Sequence, residues 1–105
     1  MEQKRNLEIT IIHKKKMQYL IDMRKLLLQD VNWVRNIHAI KFQKIFEFLT
    51  SNPYNNKFYY YYLCYNNIDD HFLDLCCSNS EMASVMKILW SEFLKQCYDH
   101  PYQNN

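Results

Sequence analysis

The chain has 105 residues, 49% of them apolar, and a net charge of +2. This length and composition indicate one small globular domain over residues 1–105 and exclude a disordered chain. The sequence contains no glycine, which excludes the glycine-rich loops that hold nucleotide phosphates.

Five residue types with AT-rich codons (Lys, Asn, Ile, Tyr and Phe) supply 45 of the 105 residues. This bias is typical of an AT-rich genome, and with the small size it is consistent with a viral, phage or mobile-element accessory protein. The charged start and the lack of a long apolar run predict that this chain has no signal peptide and no membrane span. We therefore expect a cytoplasmic protein, located in the host cytosol or nucleus if it is viral.

The first predicted element is a short strand over 7–12, where Leu7, Ile9 and Ile11 alternate with polar residues. The same residues also fit the first turn of the helix that follows. From residue 14 the apolar spacing becomes helical and predicts a helix over 14–29.

A second helix is predicted over 31–50, with Asp30 or Asn32 as its cap and Pro53 beyond its end. Its apolar residues cover more than one face, which a domain of this size has trouble burying. Large exposed apolar patches usually mark interfaces, so we expect a homodimer or a heteromeric complex. The residues concerned are Trp33, Ile37, Ile40, Phe42, Ile45 and Phe46.

The next segment is unusually rich in tyrosine and predicts two antiparallel strands, 58–65 and 71–77, joined by a loop. The alternative is that both segments are short helices. Because glycine is absent, turns that need a positive φ must use Asn or Asp, and the pair Asn66-Asn67 is one candidate.

A capping box formed by Ser78 and Glu81 predicts a last helix over 79–99. The order of elements is (β)ααββα, which corresponds to an α+β fold with three amphipathic helices packed on a small antiparallel sheet. The alternative is an all-α bundle. The α+β order is similar to that of the small ribonuclease toxins of toxin–antitoxin systems, a likeness of topology alone that makes an RNA-cleaving enzyme a third hypothesis.

The tyrosine-rich strand predicts a binding surface, because exposed tyrosines make contact area at low entropic cost. If Leu63 lies on the core face, Tyr60 and Tyr62 point outward. Together with Trp33 and Ile40 they are the predicted partner-binding residues. The leading hypothesis is a non-catalytic protein–protein interaction module, such as a small binder, inhibitor or accessory factor, with a protein partner.

Charge is divided unevenly along the chain, with an excess of basic residues in 1–57 and of acidic residues in 58–105. The alternative function is therefore a nucleic-acid-binding module that uses the basic N-terminal half. Its predicted contact residues form the densest basic group: Lys14, Lys15, Lys16, Arg24 and Lys25.

No arrangement in the sequence predicts catalysis, a cofactor or a metal. The four cysteines are expected to be free thiols, because no secretory signal accompanies them. Cys97 and His100 have the spacing of two zinc ligands, but no Cys-x-x-Cys pair accompanies them. The other histidines give no reason for pairing, and His38 is expected to be packed while His71 is expected on a turn. We therefore predict that the protein is not an enzyme.

Overall fold

The computed structural model describes residues 2–51 and 67–99, and every regular element in these ranges is helical. Helix α1 spans Glu2–Gln29, α2 spans Ile37–Ser51, α3 spans Asp70–Cys76 and α4 spans Ser80–Asp99. A short 3₁₀ helix, Trp33–Arg35, lies in the turn between α1 and α2. The fold is all-helical, and the preferred prediction of an α+β fold with an antiparallel sheet is wrong.

Two of the predicted strands are replaced by helix. Residues 7–12 lie inside α1, and 71–77 coincide with α3 apart from the last residue. The predicted strand 58–65 lies outside the described residues. Without the sheet, the topological likeness to ribonuclease toxins loses its basis.

Helix α3 forms because its ends and its spacing both favour a helix. Asp69 Oδ1 accepts a hydrogen bond from the Phe72 backbone N–H at 2.8 Å, which caps the first turn. Leu73 and Cys76, three residues apart, are buried, whereas Leu75 is 41% exposed. A strand would have placed Leu73 and Leu75 on the same face, so the observed burial follows the helical period.

Asparagine begins two of the other helices. Asn36 Oδ1 accepts from the backbone N–H groups of His38 and Ala39, at 3.0 and 3.2 Å. As a result α2 begins at residue 37, after a turn, rather than at residue 31. Asn79 Oδ1 accepts from the Met82 N–H at 2.7 Å, so Asn79 caps α4 in place of the predicted Ser78.

The expectation that asparagine replaces glycine at a positive φ is confirmed at Asn67, whose φ is 42°. This residue lies just before α3, and the left-handed conformation turns the chain into that helix. Asparagine tolerates it better than most non-glycine residues.

The core is built from one stripe on each helix, and the most extensive helix–helix contact joins α1 to α4. Phe42 lies at its centre: its ring centroid is 4.2 Å from that of Phe46, 5.5 Å from that of Trp90 and 5.9 Å from that of Phe72. Trp90 also donates its indole N–H to the Ile68 carbonyl at 3.2 Å. Phe42, Ile45 and Phe46 are thus inside this domain's own core and are not available for the interface predicted from them.

None of the described helices combines the length and the apolar character that crossing a lipid bilayer requires.

Asn36 connects two helices that are distant in sequence. Besides capping α2, its Nδ2 donates to the Leu75 and Cys76 carbonyls, at 2.9 and 3.2 Å, at the end of α3. We expect Asn36→Ala to lower the free energy of unfolding by about 2 kcal/mol, combining a lost cap with lost bonds to two carbonyls. Urea denaturation followed by circular dichroism measures this change.

Asn79→Ala is the matched control, because it removes a helix cap alone. It should cost about 1 kcal/mol. Equal costs for the two variants would show that the amide of Asn36 adds nothing between α2 and α3.

Candidate functional site

A groove of about 420 Å³ lies between the first turns of α2 and the helix α3. This volume falls within the usual range for ligand sites, roughly 300–1,000 Å³. The groove is lined by Ile37, His38, Lys41, Asn67, Asp69, His71, Phe72 and Leu75.

The floor of the groove is an aromatic ring, that of Phe72, and it packs on the core. Phe72 is half-buried, and the centroid of its ring lies 5.9 Å from that of His38 in an edge-to-face arrangement. The Phe72 ring also packs edge-to-face on the buried Phe42 ring, with 5.9 Å between the two centroids. The Asn36 amide fixes α3 beside the start of α2, so the floor is anchored to the core through both rings and backbone.

The rim of the groove is apolar on both sides. Ile37, on α2, is 74% exposed, and Leu75, on α3, is 41% exposed. The hydrogen bond from Asn36 to the Leu75 carbonyl brings these two side chains to the same opening. Two large aliphatic residues flanking an aromatic floor form a surface that favours an apolar side chain from outside.

A lysine and an aspartate line the groove, Lys41 and Asp69, and they differ in what they contact. Lys41 Nζ lies 5.5 Å from the centroid of the Phe72 ring, a cation–π geometry that keeps the ammonium over the floor. Asp69 is already engaged, because its carboxylate caps α3. Asp74, which also lies on α3, forms an ion pair with Lys87 of α4 at 2.7 Å. The charge over the ring of Phe72 is thus that of Lys41, while Asp69, which also lines the groove, keeps its negative charge.

His38 and His71 both line this groove, although they are far apart in sequence. His38 is packed as expected, against Phe72, and His71 is exposed but lies on α3 instead of a turn. No pattern in the sequence predicts that these two histidines lie in the same groove. For the aliphatic rim the sequence gives a partial indication, since Ile37 belongs to the apolar residues that cover more than one face of the predicted helix 31–50.

The predicted partner-binding residues are distributed differently. Trp33 and Ile40 are half-buried, and Trp33 packs against the core. Tyr60 and Tyr62 lie outside the described residues. The most exposed apolar residues near Trp33 and Ile40 are two others, Val31 and Ile37, which are 86% and 74% exposed.

The predicted basic group is mostly at the surface. Lys14, Lys15, Arg24 and Lys25 are exposed on α1, whereas Lys16 is 2% exposed. Lys16 is therefore buried in this fold, unlike the other four, and a nucleic-acid contact by this group stays a prediction.

Lys16 is instead part of the contact between α1 and the rest of the helical core. Burial lowers the pKa of Lys16, and the neighbouring Cys97 partly opposes this effect. The pKa of His13 is lowered too, by burial first and by the charge of Lys16 second. These groups form a small titratable cluster in which Lys16 and Cys97 are buried and His13 is half-buried.

Cys76, Cys77 and Cys97 are thiols in the part of the chain that the structure describes. Burial raises the pKa of Cys76 to about 12 and the pKa of Cys77 and Cys97 to about 11. These thiols are thus protonated near neutral pH, a state with little nucleophilic or metal-binding capacity. Within residues 2–51 and 67–99, no group of three His, Cys, Asp or Glu side chains could hold a metal ion.

No protein-family model, curated protein or solved structure matches this chain. The groove and the surface charges of the helices are therefore the observations on which a function can be based.

Proposed function

We propose that this chain is a non-catalytic helical domain that binds a protein partner in the groove between α2 and α3. The occupant is a partner segment that inserts an apolar side chain over Phe72 and places a carboxylate beside Lys41. The observation that carries this proposal is the exposed aliphatic rim, Ile37 and Leu75, around an aromatic floor with a cation above it.

The energetics favour such an occupant. Burying the exposed part of two aliphatic side chains is worth on the order of 2 kcal/mol, at about 25 cal/mol per Å² of apolar surface. The floor and both sides of the groove are preformed, because the Asn36 hydrogen bonds and the Phe42 contact hold α3 in place. A carboxylate near Lys41 adds a favourable charge interaction and fixes the direction of the bound segment.

A random twelve-residue peptide library displayed on phage tests this proposal directly. Selection on the wild-type protein should enrich peptides with one large apolar residue next to Asp or Glu. Synthetic copies of these peptides should bind Ile37→Asp at least about tenfold more weakly, the loss expected for an anchor contact in a small site. Lys41→Gln should weaken the acidic peptides more than uncharged versions of them.

Ile88→Asp is the matched control, because Ile88 is 64% exposed but lies on α4, away from the groove. It should leave peptide affinity unchanged. If no sequence is enriched, or if the enriched peptides bind Ile37→Asp and wild type equally, the groove is not the binding site.

The alternative of nucleic-acid binding keeps four exposed cations on α1: Lys14, Lys15, Arg24 and Lys25. Two observations weigh against it. Burial of Lys16 takes one of the five predicted contacts away from the surface, and the exposed aliphatic residues Ile21 and Leu28 share the same helix. Gel shifts with single- and double-stranded DNA and RNA at low salt would show binding that falls steeply as salt rises if this alternative holds.

A further inference from the structure

The outward side of α1 carries a regular stripe that mixes basic and apolar residues. Its members follow an alternating spacing of four and three residues, which keeps them on one face of a helix. Ile21 and Leu28 are 40% and 41% exposed, and the lysines of the stripe are exposed as well. The basic stripe consists of Lys14, Gln18, Ile21, Lys25 and Leu28.

The outward side of α4 carries a second stripe with the same spacing and the opposite charge. Val85 and Ile88 are 43% and 64% exposed, and the charged residues around them are exposed too. Glu81 and Glu92 give this stripe its acidic character. The acidic stripe consists of Glu81, Val85, Ile88, Glu92 and Lys95.

When the helices run in the same direction, the two stripes match at three of their five positions, while the second and fifth positions pair Gln18 with Val85 and Leu28 with Lys95. The first and fourth positions pair Lys14 with Glu81 and Lys25 with Glu92. The third position, at the centre of the seam, pairs Ile21 with Ile88. The four–three spacing and the parallel direction are those of coiled coils, but here charged pairs occupy seam positions that coiled coils usually fill with apolar residues. Each stripe covers about 21 Å of helix at 1.5 Å per residue.

The stripes cannot satisfy each other within one molecule. Helices α1 and α4 already contact each other through their buried faces, with Leu20 and Leu27 on α1 and Phe93 on α4 in the core. The stripes lie on the solvent side of both helices. Within the described residues, no ion pair involves the two lysines or the two glutamates of the seam.

From this complementarity we infer that a second copy of the chain docks on α1 through its α4. The basic stripe of one molecule packs along the acidic stripe of the next, with the two isoleucines buried between two Lys–Glu pairs. This surface is separate from the groove and does not depend on the function proposed for it. Because two different faces meet, the contact is head-to-tail, and each added copy offers a new stripe.

Charge reversal tests the pairing. Sedimentation velocity at low salt, from micromolar to millimolar protein, should show species larger than the monomer for wild type and their loss in high salt. Lys14→Glu/Lys25→Glu and Glu81→Lys/Glu92→Lys should each weaken association at least tenfold, because like charges then face each other. An equimolar mixture of the two variants should associate again, since each supplies the stripe that the other lacks.

Lys41→Glu/Lys44→Glu is the matched control: it changes the net charge as much as the first variant, at exposed lysines of α2 outside both stripes. It should associate like wild type, as should Ile37→Asp. Circular dichroism checks that each variant is folded. Substitutions at exposed positions of this kind should leave the fold intact.

Three results would overturn the inference. They are a wild-type protein that stays monomeric at every concentration, association that survives charge reversal, and a mixture of the two variants that remains monomeric. If wild type is monomeric and Lys14→Glu/Lys25→Glu instead loses binding to a single-stranded RNA probe or to anionic vesicles, that ligand is the occupant of the α1 stripe, and the self-association model is wrong.

Discussion

Phe42→Ala is expected to lower the free energy of unfolding by about 3–5 kcal/mol, the usual cost of removing a buried aromatic ring. Phe42 is fully buried, and its ring contacts those of Phe46, Phe72 and Trp90. The loss is a large part of the roughly 5–15 kcal/mol that stabilises a typical domain. Thermal and urea denaturation, followed by circular dichroism, measure it.

Ile37→Ala is the control for the same helix. Ile37 is 74% exposed, so its truncation should change stability by no more than about 0.5 kcal/mol. Phe42→Ala should also weaken peptide binding in the groove, because Phe72 loses the ring that supports it. A Phe42→Ala variant as stable as Ile37→Ala would mean that the aromatic cluster does not form the centre of the core.

Lys16→Met is expected to raise the free energy of unfolding at pH 7, by about 1–3 kcal/mol, since a buried charge is replaced by an apolar chain of similar length. Burial lowers the pKa of Lys16. Between that lowered pKa and the ordinary value of 10.5, the unfolded chain binds more protons than the folded protein. The contribution of Lys16 to stability therefore rises with pH through this window.

The gain from Lys16→Met should accordingly be largest at pH 7 and shrink as the pH approaches 10.5. Comparing urea midpoints of wild type and variant at each pH removes the effect of Cys76 and Cys77, which both proteins share, while Cys97 interacts with Lys16 and is part of the measured difference. Lys15→Met, at an exposed position, should give no pH-dependent gain. If Lys16→Met is no more stable than Lys15→Met at pH 7, burial of the lysine is not costly.

Long periodic segments predicted helix where the spacing was sustained. Fifteen or more residues of helical spacing identified α4 and the second half of α1, because a strand cannot bury such a pattern on one side, whereas the first half of α1 was missed and 7–12 were wrongly predicted as a strand. The seven residues of α3 fit both periods, since Leu73 and Leu75 alternate while Leu73 and Cys76 lie three apart. The Asp69 cap favours the helix, and so do the contacts of α3 with α2 and α4, which are not visible in a local pattern.

The site was harder to predict than the fold for a related reason. His38 and Phe72 lie on helices that Asn36 joins by hydrogen bonds across 39 and 40 residues of sequence. The burial of Lys16, by contrast, could be predicted from the sequence. This lysine precedes Leu20, Met23 and Leu27 at helical spacing, so the period places it on the buried stripe, but its charge led to its assignment to the surface group.

The pairing of α1 with α4 also sets the order of events during synthesis. These two helices make the most extensive contact of the described fold, yet they lie at its opposite ends in sequence. On a ribosome, α1 emerges long before its partner, with Leu20, Met23 and Leu27 still uncovered. Contacts between distant segments also slow folding relative to bundles whose neighbouring helices pair. The nascent chain should therefore present a basic, apolar helix to chaperones until α4 has left the exit tunnel.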